Sequence, residues 1–509
     1  MTSLRFRPIA SLLALSALAG CSLAPPYQRP ETTGAMPATW KTVDGWRAAN
    51  PDDGAPRPDW WTTFGDATLN GLVARANAQN QTLAQAAAAW RQATAATREA
   101  RASLFPTVSA NGSVTHTHSG ATVRNATDGG TGAAVINGQS TDSYRVNVQA
   151  SWQPDLFGSV TNTVRNARYT EQARLADIAN ARLAIQGELV TDYLSLRATD
   201  ATIASLTATV DAYRRSLDIA SNQYKAGIVA KTDVFQAESQ LASAQSDLEG
   251  QARTRAQYED AIAVLIGENP AGFRIASTGA VWTPQVPEAP VSLPSALVER
   301  RPDIAAAERA VAAANATIGI NRAAFFPTVS LTGSGGFSND SLSGLFSAGA
   351  SLWSLGASVA QTLLDFGARG ARVAQSRAAY DAAVANYRQV TLTAFQDVQD
   401  NLIAQQVLAR QESYLRTASM AADQSETTLR NQYRAGIVVY TNVVTAQATA
   451  LNARRALIQA QLDRQTAHVA LVQALGGGWS SDVLTRGAEA SGARSMPAAR
   501  MQASRPSGE

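Results

Sequence analysis

The chain carries an internal duplication, which constrains its architecture more than any other feature of its 509 residues. The segment NQYKAGIV at 222–229 recurs as NQYRAGIV at 431–438, and FPTVS at 105–109 recurs unchanged at 326–330. A third landmark, DLFG at 155–158, returns more loosely as DFG at 365–367. Because the landmarks keep their order in both halves, the chain is a tandem repeat of one structural unit.

Each repeat predicts strands between helices. A helix is expected from about residue 70 to 104, and Pro106 ends it because a proline disfavours helix at the preceding residue. Residues 144–152 then alternate, with Tyr144, Val146, Val148, Ala150 and Trp152 on one side and Arg145, Asn147, Gln149 and Ser151 on the other. This period of two predicts a strand with one apolar and one polar face.

Very long helices follow the strands. No proline interrupts 159–224 or its counterpart 368–433, and each has a helical apolar stripe: Ile185, Leu189, Tyr193 and Leu196 in the first, Leu392, Phe395, Val398 and Leu402 in the second. At 1.5 Å per residue, about 65 residues span roughly 100 Å, so we expect coiled-coil packing. Gly227 and Gly436 then suit left-handed turns into return helices at 232–265 and 441–475.

These patterns divide the precursor into segments. We expect a signal at 1–20, an extended arm at 21–69, a first repeat at 70–283, a proline-rich joint at 284–295, a second repeat at 296–483 and a disordered tail at 484–509. The fold class is α+β, with four strands per chain. Four strands are too few to close a useful barrel, so other copies of the chain must pair the sheet edges.

The N-terminus predicts a lipid anchor. Arg5 and Arg7 precede a short apolar run that ends in LAGC at 18–21, which resembles the lipobox of bacterial lipoproteins. Cys21, the only cysteine, would become the lipidated first residue, and no intramolecular disulfide is possible. Ser22 follows it, and in similar lipoproteins a residue other than Asp there accompanies sorting to the outer membrane.

Composition excludes several functions. The formal charge of +3 gives no electrostatic case for nucleic-acid binding, and two of the excess positive charges belong to the signal. No catalytic motif was found: there is no phosphate-binding loop and no nucleophile elbow. His116 and His118 share a strand face, but no carboxylate or cysteine lies close to them in the sequence, so we predict no metal site.

Motifs spread across the mature chain resemble those of the TolC-like outer-membrane factors, in the NodT-type lipoprotein branch that serves resistance-nodulation-division (RND) efflux systems. They are Pro25-Tyr27-Pro30, Trp60-Trp61-Phe64-Asp66-Leu69, Phe105-Pro106, Glu299-Arg300-Arg301-Pro302-Asp303-Ile304, Asp365-Phe366-Gly367, Tyr433-Arg434-Ala435-Gly436 and Leu475-Gly476-Gly477-Gly478-Trp479.

The resemblance implies a homotrimer, with a 12-stranded outer-membrane β-barrel on a periplasmic α-helical barrel. Its partners would be a periplasmic adaptor, an inner-membrane RND transporter and outer-membrane lipid, with no cofactor beyond the covalent lipid on Cys21. The function implied is a passive exit duct, not an enzyme, for drugs or small amphipathic compounds, in the outer membrane with most of its mass in the periplasm.

The resemblance also assigns candidate sites. The pore-lining strand would expose Arg145, Asn147, Gln149 and Ser151 to water. The adaptor-contact tips would be Ala226, Gly227 and Ile228 with Ala435, Gly436 and Ile437, and the periplasmic constriction would lie at Tyr440, Asn442 and Thr445. Relatives often carry acidic residues just after the second turn, so this chain is expected to have a neutral constriction with weak cation selectivity.

Two other functions remain open at this stage. The same fold serves as the outer-membrane duct of type I protein secretion systems. A poreless coiled-coil lipoprotein of structural or adhesive function is the other alternative, although such a scaffold would not need the alternating strand.

Overall fold

The computed structural model describes residues 22–32, 59–278 apart from 121, 125–133 and 137–138, the single positions 282, 284, 286 and 287, and 300–481. The predicted signal, Cys21, most of the proline-rich joint and the predicted C-terminal tail lie outside these residues. The fold below is that of the described part of the chain.

Helices and strands follow the duplicated plan. The first half contains helices α1 (Ala67–Gln79) and α2 (Gln81–Ala102), strands β1 (Thr107–Ser119), β2 (Thr122–Arg124), β3 (Ala134–Ile136) and β4 (Gln139–Trp152), and helices α3 (Ser159–Lys225) and α4 (Lys231–Leu265). The second half contains α5 (Pro302–Ala323), β5 (Thr328–Asn339), β6 (Ser351–Ala360), α6 (Ala368–Arg434) and α7 (Tyr440–Ala474).

The first predicted helix is in fact two helices. Asp66 caps α1, because its carboxylate accepts hydrogen bonds from the backbone amides of Thr68 and Leu69 at 2.8 and 3.1 Å. Asn80 has extended backbone angles and accepts the amide hydrogen of Leu83 at 3.1 Å, so it ends α1 and caps α2. Asparagine competes for backbone hydrogen bonds in this way, which makes a helix boundary favourable there.

The main sheet is antiparallel, in the order β1-β4-β5-β6, and it joins one hairpin from each repeat. At the seam between the hairpins, Tyr144 of β4 lies opposite Asn339 of β5 and Trp152 lies opposite Leu331. The short strands β2 and β3 form a separate pair, which the sequence pattern did not predict. Within the described residues, β1 and β6 are the edges of the main sheet.

Two aspartates start the long helices. The Asp155 carboxylate accepts the amides of Val160 and Thr161 at 3.1 and 2.6 Å at the start of α3. In the second repeat, Asp365 accepts the amide of Gly367 at 3.1 Å, that of Arg369 at 3.1 Å and the Arg369 Nε–H at 2.6 Å. The third landmark of the duplication is therefore a helix cap, favoured by the positive end of the helix dipole.

The chain divides into two compact units. The first contains the sheet with the adjoining helix ends, in described residues 22–29, 92–171 and 309–384. The second contains described residues from 30 to 91, from 172 to 308 and from 385 to 481, and its largest hydrophobic core includes Trp60, Leu69, Leu189, Tyr193 and Ile262.

The predicted stripe on α3 is buried throughout, whereas that on α6 is only partly buried. Ile185, Leu189, Tyr193 and Leu196 are all buried. On α6, Val398 and Leu402 are buried, but Leu392 is exposed. Among the described residues, no helix combines the length and the apolar character that a membrane crossing requires.

Candidate channel face and helical turns

The strand ladder gives the main sheet one apolar face. Residues paired across antiparallel strands point to the same side, so the register extends the face of Val146 and Val148 to the other three strands. Its large apolar members are Val108 and Val114 of β1, Val146, Val148 and Trp152 of β4, Val329, Leu331 and Phe337 of β5, and Trp353, Leu355 and Val359 of β6. All except Val329 and Phe337 are exposed in the single chain.

The opposite face is polar on the same four strands. It contains the predicted Arg145, Asn147, Gln149 and Ser151, together with Ser109, Asn111, Ser113, Thr332, Ser334, Ser338, Ser354 and Ser358. Ser334 and Ser354 hydrogen-bond across β5 and β6 at 2.9 Å. Leu352 is an apolar exception on this side, opposite Gly336. The alternation seen in one strand therefore describes the whole sheet.

Aromatic side chains cluster where the sheet meets its helices. Phe157 and Phe326 stack with ring centroids 4.8 Å apart. The indole of Trp152 donates a hydrogen bond to the carbonyl oxygen of Leu104 at 3.0 Å, and the Arg369 guanidinium lies 5.3 Å from the centre of the Phe325 ring. Aromatic girdles of this kind border the apolar bands of membrane strands.

The predicted histidine pair lies on the apolar face, at the end of the sheet away from the helices. His116 Nδ1 lies 2.7 Å from a carboxylate oxygen of Asp142, and His118 Nδ1 lies 2.8 Å from the hydroxyl of Ser140. Among the described residues there is no group of three or more His, Cys, Asp or Glu side chains placed to hold a metal ion.

The two helical turns have the same backbone geometry. Gly227 and Gly436 both have φ of 74°, the left-handed conformation that a glycine adopts without strain. Ile228 donates its amide hydrogen to the carbonyl oxygen of Gln223, and Ile437 does the same to Gln432, each at 2.9 Å. This bond from a residue just past the helix to the last turn is a Schellman motif.

Both turns expose an isoleucine to solvent. Ile228 is 70% exposed and Ile437 is 72% exposed, although an isoleucine side chain stabilises a fold only when it is covered. Each predicted tip is therefore a hydrogen-bonded turn that presents an exposed apolar side chain.

The predicted constriction residues differ in exposure. Asn442 and Thr445 are exposed on the first turns of α7. Tyr440 is only 2% exposed: it packs on Tyr433, with ring centroids 5.2 Å apart, in a cluster with Ala220, Ala237 and Val443. The place of Tyr440 at the constriction stays a prediction, and its ring is buried inside the turn whereas Asn442 and Thr445 are exposed.

Burial also changes the acidity of Tyr440. It raises the pKa of the phenol, and the nearby Tyr433, Tyr213 and Asp233 raise it further. The hydroxyl therefore stays neutral at physiological pH.

Comparison with known proteins identifies the family. The family described as outer membrane efflux protein matches residues 72–268 and 293–477, which is more than half of the chain. The chain belongs to the outer membrane efflux protein family.

Individual relatives match this family member over nearly their whole length. It is 31% identical over 479 residues to the toluene efflux pump outer membrane protein TtgC of Pseudomonas putida, and equally so to the antibiotic efflux pump outer membrane protein ArpC of the same species. Each alignment covers 92% of this chain and 96% of the relative. The solved outer-membrane channel OprN superposes with a TM-score of 0.80 at 27% identity, covering 90% of this chain and 100% of OprN.

The family assignment establishes an outer-membrane efflux channel with a periplasmic helical portion. It also confirms the predicted fold class of tandem helical and β units. Its relatives are channel proteins and not enzymes.

An ion-pair cluster on α7 of this efflux protein was not predicted from the sequence. Arg454 bridges two carboxylates of α6, at 2.7 Å to Asp423 and 2.8 Å to Glu426, and Glu426 also pairs with Arg430 at 3.0 Å. The next residue, Arg455, pairs with Asp247 of α4 at 2.8 Å. These contacts hold α7 to helices of both repeats.

The same cluster borders a cavity of about 370 Å³, which α3 lines with Thr209 and Tyr213. No sequence motif marked the cluster, since the carboxylates that pair with Arg454 and Arg455 lie 28 to 208 residues away in the chain. Only the packed helices bring the charges together.

The segment just after the predicted lipidation site packs against helices α3 and α5 within the first unit. The Ser22 hydroxyl donates to Asn162 Oδ1 at 3.1 Å and accepts from Arg165 at 2.9 Å. Asn315 donates to the carbonyl oxygen of Pro25 at 2.9 Å. Cys21 itself lies outside the described residues, so its lipidation stays a prediction.

Proposed function

We propose that three copies of this chain form the exit duct of a tripartite RND-type efflux system. The observation that carries the proposal is the main sheet, which is apolar on one face, polar on the other and unpaired at both described edges. A sheet that spans lipid must close, because an open edge would leave backbone groups without partners. Four strands from each of three copies would close a twelve-stranded barrel.

The two faces then have defined environments. The apolar face meets the hydrocarbon of the outer membrane, and the polar face with Arg145, Asn147, Gln149 and Ser151 lines a water-filled lumen. Solutes pass by diffusion, and the chain supplies neither a cofactor nor a reaction. The energy for transport comes from the inner-membrane partner.

The helical turns form the contact surface for the periplasmic adaptor. The exposed Ile228 and Ile437 on hydrogen-bonded glycine turns are suited to pack against apolar side chains of a partner. Substitution of both by Ser is expected to abolish pump-dependent resistance while the trimer remains in the outer membrane. Thr441→Ser, at an exposed position in the first turn of α7 just after the second tip, serves as a control that should leave resistance unchanged.

The cargo is proposed to be small amphipathic compounds. The support is that two relatives are named for toluene and antibiotic efflux. Lipidation of Cys21, with Ser22 docked on Asn162 and Arg165, would tether the N-terminus to the outer membrane. Mass spectrometry of the mature N-terminal peptide tests this part of the proposal.

Planar bilayers test the channel directly. We expect purified protein to give stable conductance with weak cation selectivity, since Asn442 and Thr445 place neutral groups at the constriction. Asn442→Asp should raise cation selectivity, and Asn442→Ala should not. Absence of conductance from correctly assembled trimers would contradict the duct. Strong selectivity in the parent that vanishes on replacing Asn442 and Thr445 by Ala would contradict the neutral constriction.

A further inference from the structure

The loop between β5 and β6, residues 340–350, is folded onto one particular face of the main sheet. Phe337 lies opposite Val146 and therefore belongs to the apolar face. Its ring meets the ring of Phe346 from the loop edge to face, with centroids 5.5 Å apart. Asn339, opposite Tyr144, shares that face, and its side chain donates to the carbonyl oxygen of Gly344 at 3.2 Å and accepts the amide hydrogen of Ser341 at 3.0 Å.

The loop is compact but leaves two large apolar side chains outside. Leu345 of the loop is buried, and backbone hydrogen bonds join Ser347 to Gly344 and Ala350 to Ser347. Leu342 is 67% exposed and Phe346 is 70% exposed. A surface loop that keeps leucine and phenylalanine in contact with water forgoes the free energy of burying them.

The position of the loop along the sheet indicates what covers these side chains. The loop lies at the far end of the sheet from α5 and α6, because β5 begins after one helix and β6 leads into the other. In an outer-membrane channel with periplasmic helices, that end faces the outer leaflet.

The height of the contact also matters. Phe346 touches Phe337, which lies level with Val146, whereas the polar pair of His116 and Asp142 lies beyond Tyr144, further from the helices. The contact between Phe346 and Phe337 therefore lies within the apolar band, closer to the helices than the polar residues that end this band.

We propose that residues 340–350 form a hydrophobic wedge that inserts Leu342 and Phe346 among the acyl chains of the outer leaflet. The inference rests on the proposed function, because it requires the apolar face to meet lipid. The exposed loop side chains contact lipid acyl chains and not the water-filled lumen. The reason is that Phe337 and Asn339, the strand residues that hold the loop, lie on the apolar face of the sheet. The wedge would widen the lipid contact at the outer rim of each copy.

Spin labelling of the full-length protein in lipid vesicles tests the wedge. Phe346→Cys and, independently, Leu342→Cys would carry a nitroxide, with Val148→Cys on the apolar face and Ser354→Cys on the polar face as matched controls. The unsubstituted protein measures any labelling of Cys21, the only native cysteine. Power saturation compares collision with oxygen, which concentrates in lipid, and with a water-soluble nickel complex.

The expected result is an oxygen-to-nickel collision ratio at both loop positions that matches Val148→Cys and is several-fold above Ser354→Cys. Loop labels that behave like Ser354→Cys, while Val148→Cys remains in lipid, overturn the wedge and leave the duct standing. Protection from both reagents also overturns it, because a neighbouring protein surface would then cover the loop. Nickel access at Val148→Cys would refute both the wedge and the membrane-spanning sheet.

Discussion

Acidification should destabilise this channel through a single buried histidine. His468 of α7 is 2% exposed, its ring lies edge to face on Phe64 at a centroid distance of 5.7 Å, and its Nδ1 has no hydrogen-bond partner among the described residues. Burial lowers the pKa of this imidazole from 6.5 to about 4. A protonated ring would place an uncompensated charge in the core.

The magnitude follows from proton linkage. Because the folded pKa lies below the unfolded value, the unfolded chain binds the proton more tightly, and stability falls as the pH drops from about 6.5 toward 4. The loss in each copy is close to zero at pH 7.5, about 2 kcal/mol at pH 5 and about 3 kcal/mol at pH 4, at 1.36 kcal/mol per pKa unit.

Thermal unfolding of the assembled protein in detergent, followed by circular dichroism between pH 7.5 and pH 4.5, measures this effect. His468→Gln should flatten the decline of the melting temperature relative to the parent, since glutamine does not titrate. Val469→Ala, beside it in the same core, should lower the melting temperature similarly at both pH values because it removes packing and no ionisable group. Equal pH dependence in the parent and His468→Gln would refute the reasoning.

Three further predictions concern the turns, a carboxylate and the N-terminal segment. Gly227→Ala or Gly436→Ala should destabilise its turn by about 1 kcal/mol, since the added methyl meets no atom within 4 Å and only the left-handed backbone is strained. Hydrogen exchange of the amides in the turn measures this effect, and unchanged protection would contradict it. Burial and the neighbouring Glu188 raise the pKa of Asp192 from 3.8 to about 6, which corresponds to about 3 kcal/mol before screening by solvent reduces it. Asp192→Asn should therefore stabilise by roughly 2 kcal/mol above pH 6 and have no effect below about pH 4, which denaturant titration at the two pH values resolves. Gly319→Ala would bring a methyl within 2.7 Å of Ala24 Cβ, so faster proteolysis after residue 22 is expected, and a parental cleavage rate would argue against docking of this segment.

The sequence predicted the elements whose signal is local and repeated. The long helix expected at 159–224 is observed as Ser159–Lys225, since proline is absent and the glycine turn lies directly after it. Likewise, the alternation at 144–152 sets the two faces of β4, and the ladder carries those faces to its neighbours.

What the sequence missed depends on tertiary packing. The boundary at Asn80 was not predicted because asparagine is tolerated inside helices, and only its cap to Leu83 reveals the break. The burial of Tyr440 was not predicted either, because the partner that covers its ring, Tyr433, lies across the turn. The Arg454 cluster needs carboxylates that the coiled helices bring close, so no spacing in the sequence marks it.

The seam between the two hairpins has a consequence for how separate molecules join. The pair of Thr107 and Ser151 in the first hairpin is equivalent to the pair of Thr328 and Ala360 in the second. Strand β1 therefore corresponds to β5 with a shift of 221 residues, and β4 corresponds to β6 with a shift of 209. If adjacent copies repeat the pairing of β4 with β5, then β6 of one copy lies against β1 of the next, with Ala357 opposite Val114. The duplication thus sets the strand register between subunits. A disulfide between Ala357→Cys of one copy and Val114→Cys of the next would demonstrate that register.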